Sequence, residues 1–157
     1  MKLPLSLTLM ILSSLLYSQT VVKLKVAEAS NIDIYLLDSL YMSGFHVDTS
    51  LAVFKTNPEE YYNAWVSFMQ QWGKFLSAND FYWEETTKGF NRIYFNKDGG
   101  IDYWLFNINE GQIPAEKEAR FEQLLKQFAS EHKFSLTADV GFAQCGGAVY
   151  QATKKKE

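Results

Sequence analysis

The sequence predicts an α+β fold: a mainly antiparallel sheet of three or four strands packed against two longer amphipathic helices, with a further short helix near the N-terminus. Two repeats of helical spacing carry the prediction. Tyr61, Trp65, Phe68, Met69, Trp72, Phe75 and Leu76 form one apolar stripe, and Phe121, Leu124, Leu125 and Phe128 form another. Between them, Phe90 to Phe95 and Ile101 to Ile108 are β-rich runs joined by Asn96-Lys97-Asp98-Gly99-Gly100. An Asp-Gly pair between such runs signals a hairpin, because glycine reaches positive φ without a Cβ clash.

The elements follow in order. Thr20 to Val26 alternates Val22, Leu24 and Val26 with Lys23 and Lys25, the period-2 pattern of a half-buried strand at about 21 to 26. Ser30, three residues before Asp33, opens a short helix over 31–42 that Ser43-Gly44 stops. Phe45 to Thr56 holds no period and reads as a loop packed by Phe45, Val47, Leu51 and Phe54. Asn57 then suits an N-cap whose side chain accepts from the backbone, Pro58 the first helical position, and Glu59-Glu60 the positive end of the dipole, for a helix over 58–78. The next strand spans 90–96. In the strand 101–108, Trp104, Phe106 and Ile108 share one face and Ile101, Tyr103 and Leu105 the other; both are apolar, which places this strand inside the sheet. A second helix runs from Pro114 to 132, with His132-Lys133 at its negative end, and a last strand over 140–150 is interrupted by Gly146-Gly147. The expected core is Trp65, Phe68, Trp72, Phe75, Ile93, Phe95, Trp104, Phe106, Phe121, Leu125 and Phe128.

Composition bounds the rest. A chain of 157 residues allows one domain. At 47% hydrophobic and 21% charged residues it has apolar surface enough to offset the entropy of ordering, which excludes disorder over most of its length. Its net charge of -3 argues against a nucleic-acid partner, since phosphate neutralisation needs a basic excess. Met1-Lys2 followed by the apolar run Leu3 to Leu16 reads as a signal peptide over 1–19. The run falls short of the roughly 20 residues a spanning helix needs. The expected organisation is therefore a leader (1–19), one α+β domain (20–153) and a polar tail (154–157), with periplasmic or secreted localisation. The single Cys145 allows no intramolecular disulfide, so the core alone must hold the domain.

Few residues suggest chemistry. Tyr94 and Leu105 occupy the first and twelfth places of a calcium loop drawn around Asp98-Gly99, where carboxylates are required, so the segment reads as a turn. Cys145 as a nucleophile would need a base, and His46 and His132 are the only imidazoles; it reads as a structural, possible free thiol. Two His without paired-Cys or H-E-x-x-H spacing suggest no metal site, and no nucleotide or serine-hydrolase motif occurs, so no cofactor is expected. Glu59-Glu60 and Glu84-Glu85 are adjacent acids, and neighbours on a helix diverge by about 100°, so neither pair straddles a scissile bond by itself. The aromatic content, 12 Phe, 9 Tyr and 4 Trp, exceeds one helix stripe. Phe81-Tyr82-Trp83, between the long helix and the hairpin, is the candidate exposed surface for an unknown protein or glycan partner.

The run FNRIYFNKDGGIDYWLFN, with the helix and FSLTADVGFAQC that follow it, resembles small exported proteins of Gram-negative bacteria that carry no assigned function. The order strand, Asp-Gly turn, strand, helix, strand is similar to the C-terminal domain of TonB-type energy transducers. Those proteins keep a membrane anchor and a Pro-rich spacer, whereas this chain has three Pro. The resemblance implies a small α+β sheet and, more remotely, an accessory role in envelope transport. The expected function is a non-enzymatic exported interaction module; the alternative is a hydrolase acting on an envelope or extracellular polymer.

Overall fold

A computed structural model describes residues 19–109 and 112–153; the expected leader, apart from Gln19, and the expected tail lie outside them. The 21-residue helix α2 (Pro58–Ala78) organises the domain, with the hairpin β3 (Thr87–Phe95) and β4 (Ile101–Ile108), α3 (Ala115–Glu131) and β5 (Phe142–Tyr150) built against it. Before it come β1 (Thr20–Lys23), α1 (Ile34–Leu40) and β2 (Met42–Ser43). The five strands form one sheet in the order β1-β4-β3-β5-β2.

The sheet is mixed. β3 pairs antiparallel with β4 and β5 as expected, but β1 lies parallel to β4 and β2 parallel to β5. β1 stops at Lys23 and turns into a single 3₁₀ turn, Leu24–Val26; Val21, at 3% exposure, faces the larger core, while of the expected face Val22 and Leu24 pack against the smaller cluster and Val26 is exposed. β4 is internal, flanked by β1 and β3. A bulge between Tyr94 and Phe95 pairs Phe95 with Ile101, and Ile101 joins Trp104, Phe106 and Ile108 in one cluster rather than sharing a face with Leu105. The last strand is not interrupted: Gly146 and Gly147 pair in register with Asn91 and Phe90.

The helices sit where the periodicity puts them, with two changes of capping. Asn57 does not accept a backbone N–H; its Nδ2 donates to Glu60 Oε2 at 2.9 Å. α1 begins at Asp33, whose Oδ1 accepts from Leu36 N–H at 3.0 Å, while Ser30 donates back to the Val26 carbonyl. In the loop before α2 only Phe54 packs as expected, stacked on Tyr61 at 4.7 Å. Phe45, Val47 and Leu51 are exposed, because the segment closes on itself in a 3₁₀ turn, Thr49–Leu51, capped by Asp48.

The core is divided by the sheet. On one face α2 and α3 bury Phe68, Trp72, Phe95, Trp104, Phe121, Phe128 and their neighbours; of the expected core, only Trp65 and Phe75 are partly exposed. On the other, α1 and the turns before it cover a smaller cluster of Ala27, Ile32, Leu37, Tyr94 and Leu105. No described helix is long and apolar enough to cross a membrane.

Candidate functional site

Small residues on two facing elements open a groove in the larger core. Along β5, Phe142, Gln144, Gly146, Ala148 and Tyr150 alternate onto the α2 side, and a Cβ at Gly146 would meet nothing within 4 Å. Gly73 on α2 is equally empty. Two glycines and an alanine stand where large side chains would fill the layer, and a cavity of about 460 Å³ remains between the second half of α2 and β5. That volume falls in the ordinary range for small-ligand pockets, about 300–1,000 Å³. Its walls are Trp65, Val66 and Met69 from α2 and Val149 and Tyr150 from β5, and among the described residues no charged one lines it.

The floor holds three polar groups. Asn91, 2% exposed on β3, accepts Trp104 Nε1–H at 2.9 Å and reaches Tyr150 Oη at 3.4 Å. Burial raises the Tyr150 phenol above its ordinary pKa, the Asn91 and Trp72 donors opposing that rise. Trp72 is fully buried, and its Nε1–H lies near enough to the Tyr150 hydroxyl to lower its pKa but outside the geometry of a formed hydrogen bond. An indole donor left bare inside a protein costs about 1–3 kcal/mol, so its place at the groove is notable.

Phe81-Tyr82-Trp83 does not form an exposed platform. Phe81 and Trp83 are 5% and 4% exposed, because the turn after α2, with Asp80 at positive φ, folds back onto α3 and β5. Trp83 stacks on Tyr150 at 4.6 Å and meets Phe121 edge-on at 5.6 Å. Its backbone N–H donates to Thr153 Oγ1 and its carbonyl accepts from Thr153 N–H, which closes one end of the groove. Phe81 and Trp83 thus line the groove from within, while Tyr82 stays partly exposed beside Asp80.

The other expected residues do not assemble. Cys145 is exposed on the opposite side of β5 from Gln144 and Gly146. The His132 ring stacks on Phe128 at 4.0 Å, and His46 Nδ1 accepts from Asp48 N–H at 3.0 Å. Glu84 pairs with Lys117, and Glu60 holds Asn57. The Asn96 turn is closed from within: Asn96 Oδ1 accepts from Asp98 and Gly100 N–H at 3.0 Å, and Gly99 takes φ 77°. Among the described residues no three His, Cys, Asp or Glu gather to hold a metal. The groove itself was missed; its only sequence signal was glycine inside two well-patterned elements, Gly73 and Gly146.

One flank of β5 borders the groove and is open. β2 covers only Phe142 and Ala143, and among the described residues no strand pairs with Gln144 to Tyr150 on that side. No protein-family model, curated protein or solved structure matches the chain.

Proposed function

We propose that the chain is an exported, non-enzymatic binding module whose site is the groove between α2 and β5. The single observation that supports this reading is a cavity of about 460 Å³, lined by no charged side chain among the described residues, that enters a core otherwise closely packed with aromatic rings. Binding in it draws on burial of apolar surface, about 25 cal/mol per Å². Export rests on the leader at 1–19, and an intact Met1 in the mass of the exported protein would contradict it. The binding reading is tested with the neutral fluorophore N-phenyl-1-naphthylamine. One saturable site is expected, lost in Gly146→Leu, whose side chain enters the empty space; undiminished binding to that variant would place the site elsewhere.

A second reading, the accessory role in envelope transport, has the open flank of β5 in its favour, since a partner's extended segment can add there as a strand. A Cys145→Pro substitution separates the two, since Cys145 is exposed and lies outside the groove lining: it spoils strand addition and leaves the neutral fluorophore bound.

A further inference from the structure

The geometry points to a second copy of this chain as the occupant of the open β5 flank: two β5 strands pair antiparallel about a two-fold axis at Gly147, and the two α2 helices meet above the junction. The inference does not rest on the binding reading, since the groove can fill in a single chain, nor on a role in transport.

Two independent features on the same side of the molecule carry it. The first is the strand edge. The Ala143 carbonyl accepts from Gly44 N–H at 2.8 Å, so Ala143 faces β2. Alternate residues of a strand turn both backbone groups the same way, and Cys145, Gly147 and Val149 therefore turn theirs into the open flank. The Cys145 carbonyl takes the Gln144 side-chain amide at 3.1 Å and keeps a second lone pair. Folded proteins blunt such edges with charge, proline or a bulge. Phe142–Tyr150 carries no charged residue and no proline, and its register with β3 runs without a shift. An antiparallel mate centred on Gly147 sets Cys145 against Val149, Gly147 against Gly147 and Val149 against Cys145, with about six backbone hydrogen bonds in all. The span from Gln144 to Tyr150 maps onto itself, as a two-fold contact requires.

The second feature is a flank of α2. The helix carries no charge between Glu60 and Lys74, and beside its core stripe Tyr62, Trp65, Val66, Met69 and Gly73 recur at helical spacing. All of these but Tyr62, which is 61% exposed, line the groove toward β5. α2 lies over β5 and β3, with Tyr61 Oη on Gln144 Oε1 at 2.9 Å and Phe68 edge-on to Phe95 at 5.5 Å. With strands about 4.8 Å apart, it stands about 5 Å from the axis and about 10 Å from its mate, a helix-packing distance. Tyr61 at Gln144 and Trp72 beside Tyr150 bracket the contact, which puts Val66 nearest the axis. A lone extended segment would match the edge and leave the helix flank in water. A second copy matches both, and its α2 closes the open side of the groove.

Sedimentation of the exported protein, diluted from about 1 mM to about 1 μM, is expected to show a dimer giving way to a monomer. Over the same series, amide exchange at Cys145, Gly147 and Val149 should be slower by about tenfold or more at the concentrated end, while Gln144, Gly146 and Ala148, which turn toward β3, stay constant. Cys145→Pro removes an N–H that the mate alone engages and should leave a folded monomer. Val66→Glu installs a better helix former at a half-buried position and sets two carboxylates face to face at the axis. It should weaken the dimer by about tenfold or more, and by less in high salt. A monomer at every concentration, or a dimer that both variants leave intact, would overturn the inference. Protection of the three amides that is independent of concentration would overturn it too, by placing another segment of the same chain on the flank. Fluorophore binding is read separately on the Cys145→Pro variant, so each of these failures leaves the groove as a site.

Discussion

Two buried indoles 5.9 Å apart show how differently the two ends of one core are finished. Trp104, on the internal strand β4, has its Nε1–H on Asn91 Oδ1 and is enclosed by Phe68, Trp72 and Phe128. Trp72, on α2, is just as buried, yet its Nε1–H is bare and its surroundings open into the groove toward β5. The first arrangement is what stability asks of a buried donor. The second leaves stability unclaimed at one place, and such places are where proteins hold ligands.

Substitutions that dismantle the sealed end should cost most. Trp104→Ala is expected to lose about 3–5 kcal/mol in urea unfolding, from the cavity it leaves and the orphaned Asn91 oxygen. Asn91→Leu, which strips the acceptor from Trp104 and leaves most of the packing, should lose about 1–3 kcal/mol. Trp72→Phe should lose less than Trp104→Phe by about 1 kcal/mol, because removing an unbonded donor relieves a desolvation cost while removing a bonded one creates it. Equal losses for the two Trp→Phe variants would erase the contrast.

Alkaline titration sharpens the same picture. Burial raises the phenols of Tyr61, Tyr94 and Tyr150 above the usual pKa of about 10. The folded chain therefore keeps protons that the unfolded chain gives up. Stability should be unaffected by these groups below about pH 10 and should fall as pH rises past it toward the raised folded values. The urea midpoint is expected to drop from about pH 10 to about pH 11, as free tyrosine ionises, and to drop less in Tyr150→Phe; an identical decline in that variant would remove Tyr150 from the account. Away from the larger core, Asp33→Ala should cost only about 1 kcal/mol, the worth of one cap on the short α1.

These contrasts also mark what could be read from the residues. The stripes of α2 and α3 were legible because a strong period of 3.6 survives any tertiary context, and the Asn96–Gly100 turn because positive φ at Gly99 has few alternatives. β1 and β2 were partly or wholly illegible: strands of four and two residues carry no period, and their parallel partners lie far along the chain. Trp83 was misplaced because acidic neighbours suggest exposure, whereas positive φ at Asp80 turns the segment inward onto Tyr150. By sequence Gly146 marks a break in a strand. Its pairing with Asn91 shows that the backbone continues and only the side chain is missing, and that missing side chain is the groove.

Hydrogen–deuterium exchange at the indole N–H groups of the ligand-free protein tests the difference between the two ends most directly. Trp104 Nε1–H should exchange about tenfold more slowly than Trp72 Nε1–H, the difference one hydrogen bond makes between two equally buried donors. Equal protection of the two, or greater protection of Trp72, would contradict the account of a core sealed at β4 and open beside β5.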